Sequence, residues 1–399
     1  MAHAHRRFIA GTGNGNPSPP ACPATPTPAC PRGAEYRRRA YNLRCFALSR
    51  PRNEVTGTVQ NLVWRRPLSE LPTDKVTLLV DGAYMLAEGV VWCSRKQELW
   101  WVDINGKMVL RLFRNDEADG SLVAEGWDVP TRPGSLAVRE GGGREPACAL
   151  LVAFEDGFSL YSPPTGRRVS AAAGGTVDEY EQLPGTRLND GRCDRQGRFI
   201  CGGINLVNID EPADVWEPRA RVYRAEKGKG VRRILAGEEF RCYNGTCFSP
   251  DGRTMYAAET PLQKIFRYDY DCDTGDVSKK RLFVEVEASA ALEDGYPDGA
   301  TVDAEGCVWV AMYSSGEVRR FSPDGELLRT ITVPGAKNTT CVAIGGPDLD
   351  VLFISSARQA MRFYVGLNDQ QRMEQPNAGA VFAIRLDGIK GVPEPYFRG

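Results

Sequence analysis

Short apolar runs recur along this chain, separated by polar and glycine-containing turns. The runs are Glu98–Ile104, Ala149–Glu155, Arg198–Ile204, Thr254–Thr260, Cys307–Tyr313 and Val351–Ala357, and their starts lie 51, 49, 56, 53 and 44 residues apart. A period near 50 residues marks propellers and arrays. Each run follows a small-residue strand start, often with a tight turn such as Ser249-Pro-Asp-Gly252. Each also leads into another strand: Lys107–Phe113, Gly157–Tyr161, Ala220–Arg224, Lys264–Tyr270, Glu317–Phe321 and Gly379–Arg385. Asp-Gly, Pro-Asp-Gly and Thr-Gly signals between the strands suit hairpins. Long amphipathic helices are not evident. The pattern predicts an all-β fold, a six-bladed β-propeller of three to four antiparallel strands per blade, over residues 75–390. Lys75–Val80 precedes the first unit and is the natural outer strand to complete the last blade. Two β-sandwiches would use as many strands but leave the even repeat unexplained.

Residues 1–60 break the pattern. They contain many Arg, Pro, Ala and Ser residues, and the first acidic residue is Glu35. Few apolar groups are available to offset the entropy of ordering, so a disordered leader is expected. Its basic, acid-poor composition resembles a chloroplast or mitochondrial transit peptide, and it has no apolar core of a secretory signal. The other reading of this leader is a plain tail on a cytoplasmic protein. Both place the chain inside a cell.

Composition narrows the chemistry. The formal net charge of -1 gives no positive field for nucleic acid or an acidic membrane. No run of about 18 apolar residues is present to span a bilayer. The two histidines are His3 and His5, which excludes a histidine-containing triad or zinc site from the propeller region. The 12 cysteines form no CxxC pair and mostly lie in apolar runs, so they are expected to be largely unpaired, as in a reducing compartment.

In a propeller the innermost strand of each blade begins at one mouth of the central channel. Aligning the six units places Glu88-Gly89, Gly134-Ser135, Asn189-Asp190-Gly191, Asn244-Gly245, Asp298-Gly299 and Thr339-Thr340 at these starts. Polar residues at equivalent points converge on one axis. Glu88, Asn244 and Asp298 would supply two carboxylates and an amide oxygen, a donor set for one hard divalent cation.

Five ordered motifs carry a family resemblance. They are Leu86-Ala-Glu-Gly-Val-Val-Trp92 with Trp101-Val-Asp-Ile104; Arg187-Leu-Asn-Asp-Gly-Arg-Cys-Asp194; Asn244-Gly-Thr-Cys-Phe-Ser-Pro-Asp-Gly252; Pro297-Asp-Gly-Ala-Thr-Val-Asp-Ala-Glu-Gly306; and Gly345-Gly-Pro-Asp-Leu-Asp350. Together they resemble the gluconolactonase, regucalcin (senescence marker protein) and luciferin-regenerating enzyme family. The resemblance implies a metal-dependent hydrolase that opens a sugar lactone, a small-molecule substrate, with one divalent cation (Ca, Mn, Zn or Mg). It implies Glu88, Asn244 and Asp298 as metal ligands, Arg187 and Asn189 as substrate contacts, and Asp298 as general base. One segment departs from the family pattern. Where some members carry a sugar-holding glutamate, this chain reads Gly202-Gly-Ile-Asn-Leu-Val-Asn208, which makes Asn205 or Asn208 the replacement candidates.

Three other motifs read as structure. Asp269-Tyr-Asp-Cys-Asp-Thr-Gly275 lacks an EF-hand's glycine and carries Lys280 in place of its closing glutamate, so it reads as a hairpin. The glycosylation sequons at Asn244 and Asn338 are expected to be unused, and Lys227–Arg233 reads as a solvated basic turn. Two rival functions stay open at this level: a calcium- or metabolite-binding propeller without turnover, and a phosphoester or organophosphate hydrolase on the same cation.

Overall fold

In a computed structural model the protein is described at residues 67–115, 121–141, 149–171, 177–286, 295–359 and 366–399. The leader, with its transit-peptide expectation, lies outside the described residues. The rest forms six four-stranded antiparallel sheets. Their innermost strands are Ala87–Cys93, Pro133–Val138, Thr186–Cys193, Tyr243–Phe248, Tyr296–Val302 and Thr339–Gly345, and each touches the next around a ring. This is the six-bladed β-propeller that the period predicts. The one α-helix among the described residues is the short Asp369–Glu374, and no helix there is long and apolar enough to cross a membrane.

Ring closure follows the expected route. Thr77–Val80 is the outermost strand of blade six, pairing Thr77 with Ala383 and Leu78 with Phe382. The core is divided rather than central, because each blade's two faces bury apolar side chains against its neighbours. Trp92 of blade one stacks on Phe353 of blade six at 5.4 Å between ring centroids. Ile200 and Val222 of blade three pack with Phe248, Met255 and Tyr268 of blade four. The eight described cysteines are all free, and most are buried among these layers.

Turns at the far ends of the inner strands are locked by aspartates. Asp194 accepts hydrogen bonds from the backbone N–H groups of Gln196 and Arg198 and from the Tyr270 hydroxyl. Asp303 does the same for Glu305 and Cys307 and also accepts from the Trp309 indole and Arg320. These bonds satisfy turn donors that the ladder leaves unpaired. The Asp269–Gly275 stretch lies in and after the strand Lys264–Tyr270, at its turn into Val277–Glu285, as a blade hairpin.

The same face carries the chain's end. Gly391 bridges to Asp303, Phe397 pairs with Arg139, and the Arg398 N–H donates to the Gly197 carbonyl. Between these points Glu394 meets Arg192 at 2.6 Å. The Arg192 guanidinium reaches across the channel to the carbonyls of Val342 in blade six, at 3.1 Å, and Val90 in blade one, at 3.4 Å. A cation strapped to three blades plugs one end of the channel. Removing one member of so buried a pair leaves an uncompensated charge. Glu394→Ala is therefore expected to lower stability by about 3 kcal/mol in urea melts. The joint replacement Arg192→Met with Glu394→Leu should cost less than the single change, and a milder Glu394→Ala than double variant would refute the assignment.

Candidate functional site

Every inner strand slips register near its start: between Glu88 and Val91, Pro133 and Ser135, Leu188 and Gly191, Asn244 and Cys247, Pro297 and Ala300, and Thr339 and Val342. Such bulges interrupt pairing and re-aim side chains. Two of them need glycine, since Gly89 and Gly245 hold φ of 59° and 66°, a left-handed backbone that other residues adopt at a cost. In blades one, three, four and five a residue beside the bulge reaches one mouth of the channel, while Ser135 of blade two and Thr339 and Thr340 of blade six are bonded elsewhere.

There a cavity of about 150 Å³ collects all five predicted site residues: Glu88, Arg187, Asn189, Asn244 and Asp298. Each is buried, between 3% and 7% exposed. A directional chain of hydrogen bonds fixes the amides. Arg187 donates to Asn189 Oδ1 at 2.6 Å, and Asn189 Nδ2 donates to Asn244 Oδ1 at 2.7 Å. Asn244 Nδ2 donates to Thr260 Oγ1 at 2.9 Å, and the Thr260 hydroxyl donates to the Pro297 carbonyl at 2.7 Å. The oxygen of Asn244 is thereby held away from Thr260, and a carbonyl oxygen that accepts one hydrogen bond keeps a second lone pair. Asn244 is too deeply placed and too engaged to carry a glycan. The same holds for Asn338, which is buried and donates to the Gln359 carbonyl.

Charge is the conspicuous imbalance. Burial, reinforced by the nearby Asp190 carboxyl, pushes Glu88 up to about 8. Burial and then repulsion from Glu88 and Asp190 raise Asp298 well above the ordinary carboxylate range. Asp190 is raised by burial too, although it accepts the Thr246 N–H at 2.7 Å. Among the described residues the single cationic side chain lining the cavity is Arg187. Two carboxylates and an amide oxygen, with no soft ligand needed, fit a hard divalent cation, whose charge would relieve the repulsion. A second acidic group, Asp303 with Glu305 and Cys307, lies close enough to share an ion. Its donors are otherwise engaged: four hydrogen bonds saturate Asp303, Arg320 takes Glu305, and burial and Asp303 raise the Cys307 thiol so that it keeps its proton.

The blade-three substitutes named from the sequence are not in this cavity. Asn205 donates to the Glu217 carbonyl and accepts from the Val207 N–H, bracing its own loop, and Asn208 is exposed. The acid that does reach the lining is Glu211. Sequence reasoning also missed Ile204, Thr260 and Tyr313. Each is the last residue of a predicted run, and antiparallel second strands return to the mouth from which the first departs. Their position in the repeat was a usable signal. Trp216 and Gln359 had none, because they sit in irregular insertions.

Fold and cavity together define a propeller with an acidic, cation-suited mouth. The chain belongs to the SMP-30/gluconolactonase/LRE-like family, whose model matches residues 86–358. It is 33% identical over 319 residues to a 6-deoxy-6-sulfogluconolactonase of Pseudomonas putida, covering 79% of this chain and 96% of that one. It is 34% identical over 314 residues to an L-arabinolactonase of Azospirillum brasilense, covering 79% and 93%. Among solved structures, the calcium-binding protein regucalcin from Agrobacterium tumefaciens superposes with a TM-score of 0.67 at 28% identity, over 82% of this chain and 99% of that one.

The raised carboxyls make a stability prediction for metal-free protein. Because the folded-state pKa of Glu88 lies above its unfolded value near 4.5, its destabilising effect is absent below that pH and grows as pH rises toward 8. Chelator-treated wild type should thus lose on the order of 3 kcal/mol over that window relative to Glu88→Gln. Parallel melting curves for the two proteins from pH 5 to pH 8 would count against the charge imbalance.

Proposed function

We propose that the protein is a divalent-metal-dependent lactonase, with Glu88, Asn244 and Asp298 holding the cation. The observation that carries this reading is the burial of Glu88 and Asp298 in one cavity where Arg187 is the lone cationic side chain among the described residues. A cation held there supplies a Lewis acid for the lactone carbonyl. Arg187, whose Nε is buried without a partner, donates to oxygens of the bound ring. Asn189, clamped between Arg187 and Asn244, keeps that guanidinium and the amide oxygen of Asn244 in fixed relation. Asp298 takes a proton from the attacking water, a role suited to a carboxylate of raised proton affinity where no histidine lines the cavity among the described residues. Regucalcin from Agrobacterium tumefaciens is described as calcium-binding, which keeps a binding propeller without turnover as the second reading.

Full-length protein with manganese, calcium, zinc or magnesium is expected to release acid from lactones in a pH-indicator assay, while a phosphoester panel stays silent. Asp298→Asn should lower the rate by about a thousandfold. Metal binding with no turnover across the lactones would favour the binding propeller, and turnover of phosphoesters alone would favour that rival. Thr260→Val should weaken metal binding about tenfold by freeing the Asn244 amide, with Thr260→Ser close to wild type. Equal metal affinities in the two Thr260 variants would remove Thr260 from the design.

A further inference from the structure

We infer that the lactone this site takes carries an apolar substituent, an inference that rests on the lactonase reading above. The first ground is a seventh apolar cluster. Six clusters lie between successive blades, where the fold requires them. The seventh, Ile204, Trp216 and Cys242 with Leu206 and Ile209, joins no two blade faces in that way and forms a wall of the cavity instead. It is built by the insertion at residues 206–221, between the second and third strands of blade three. Pro212, Ala213 and Pro261 extend the same wall.

The second ground is that several polar atoms around the cavity are already engaged, the Glu211 carboxylate being an exception on this wall. The Trp216 indole N–H donates to the Asn205 carbonyl at 3.1 Å, so the ring offers the cavity carbon alone. The Thr260 hydroxyl is taken by Asn244 and Pro297, and the Tyr313 hydroxyl donates to the Gln359 carbonyl. A substituent laid against the Trp216 ring meets carbon rather than a hydrogen-bond partner. The third ground is exposed apolar residues next to the lining in the chain. Val207 and Val215, on the insertion that carries Ile209 and Trp216, and Leu262, beside Pro261, are exposed at 39%, 52% and 37%.

The geometry thus places the lactone carbonyl at Glu88, Asn244 and Asp298 and an alkyl or acyl chain along Trp216 toward Val215. In the reaction the oxygen of water bonds to the carbonyl carbon and the ring C–O bond breaks. One water proton goes to the released ring oxygen, and the new carboxylic acid gives up the other at neutral pH. The test uses full-length protein with manganese and a series of γ-lactones of five to ten carbons, beside D-glucono-δ-lactone. The expected result is kcat/KM rising by about tenfold for each one or two added carbons and exceeding that of the sugar lactone. Calorimetric binding of the matching alkyl lactams should tighten in the same order. Trp216→Ala should flatten both trends, and the wild-type series decides the matter even if that variant fails to fold. A preference for the sugar lactone, or no dependence on chain length, overturns the inference and leaves the lactonase reading standing. No hydrolysis of any lactone overturns both.

Discussion

Negative charge confined without enough positive charge is the constraint on which this molecule turns. Glu88 and Asp298, from blades one and five, line one mouth of the channel with Arg187 as the nearby cation, and Asp190 of blade three adds to their repulsion. Such an arrangement opposes folding. It persists because six interblade cores and a stapled channel hold the strands in place regardless. The stability of the ring supports a mouth that carries unbalanced negative charge.

The two ends of the channel solve opposite electrostatic problems. At one end Arg192 is matched by Glu394 and by carbonyls from blades one and six. At the other end the carboxyls are left wanting a counter-charge. Hydrogen bonds at the mouth run in one direction, from Arg187 through Asn189 and Asn244 to Thr260 and Pro297, so each amide has a single orientation. That chain links blades three, four and five and presents an oxygen rather than an N–H beside the acids.

Much of this was legible in the sequence because it is periodic. The spacing of the apolar runs gave the blade count, the surplus strand at Lys75–Val80 gave the closure, and equivalent strand starts gave Glu88, Asn244 and Asp298 before any contact was known. What stayed hidden is aperiodic. Register slips leave no mark beyond a glycine. Trp216 and Gln359 lie in insertions whose path depends on tertiary packing, and Asn205 turned inward to its own loop because unpaired backbone groups there needed a partner. Arg192 and Glu394 are 202 residues apart, a pairing no local pattern announces.

The outer strand of blade six has a consequence for biosynthesis. Thr77 lies near the beginning of the propeller and its partner Ala383 near its end. A nascent chain can assemble five blades while its opening strand still waits, unpaired, for a segment the ribosome has yet to deliver. Until that moment the exposed edge is open to wrong partners, and the final zippering couples the whole circle into one cooperative event.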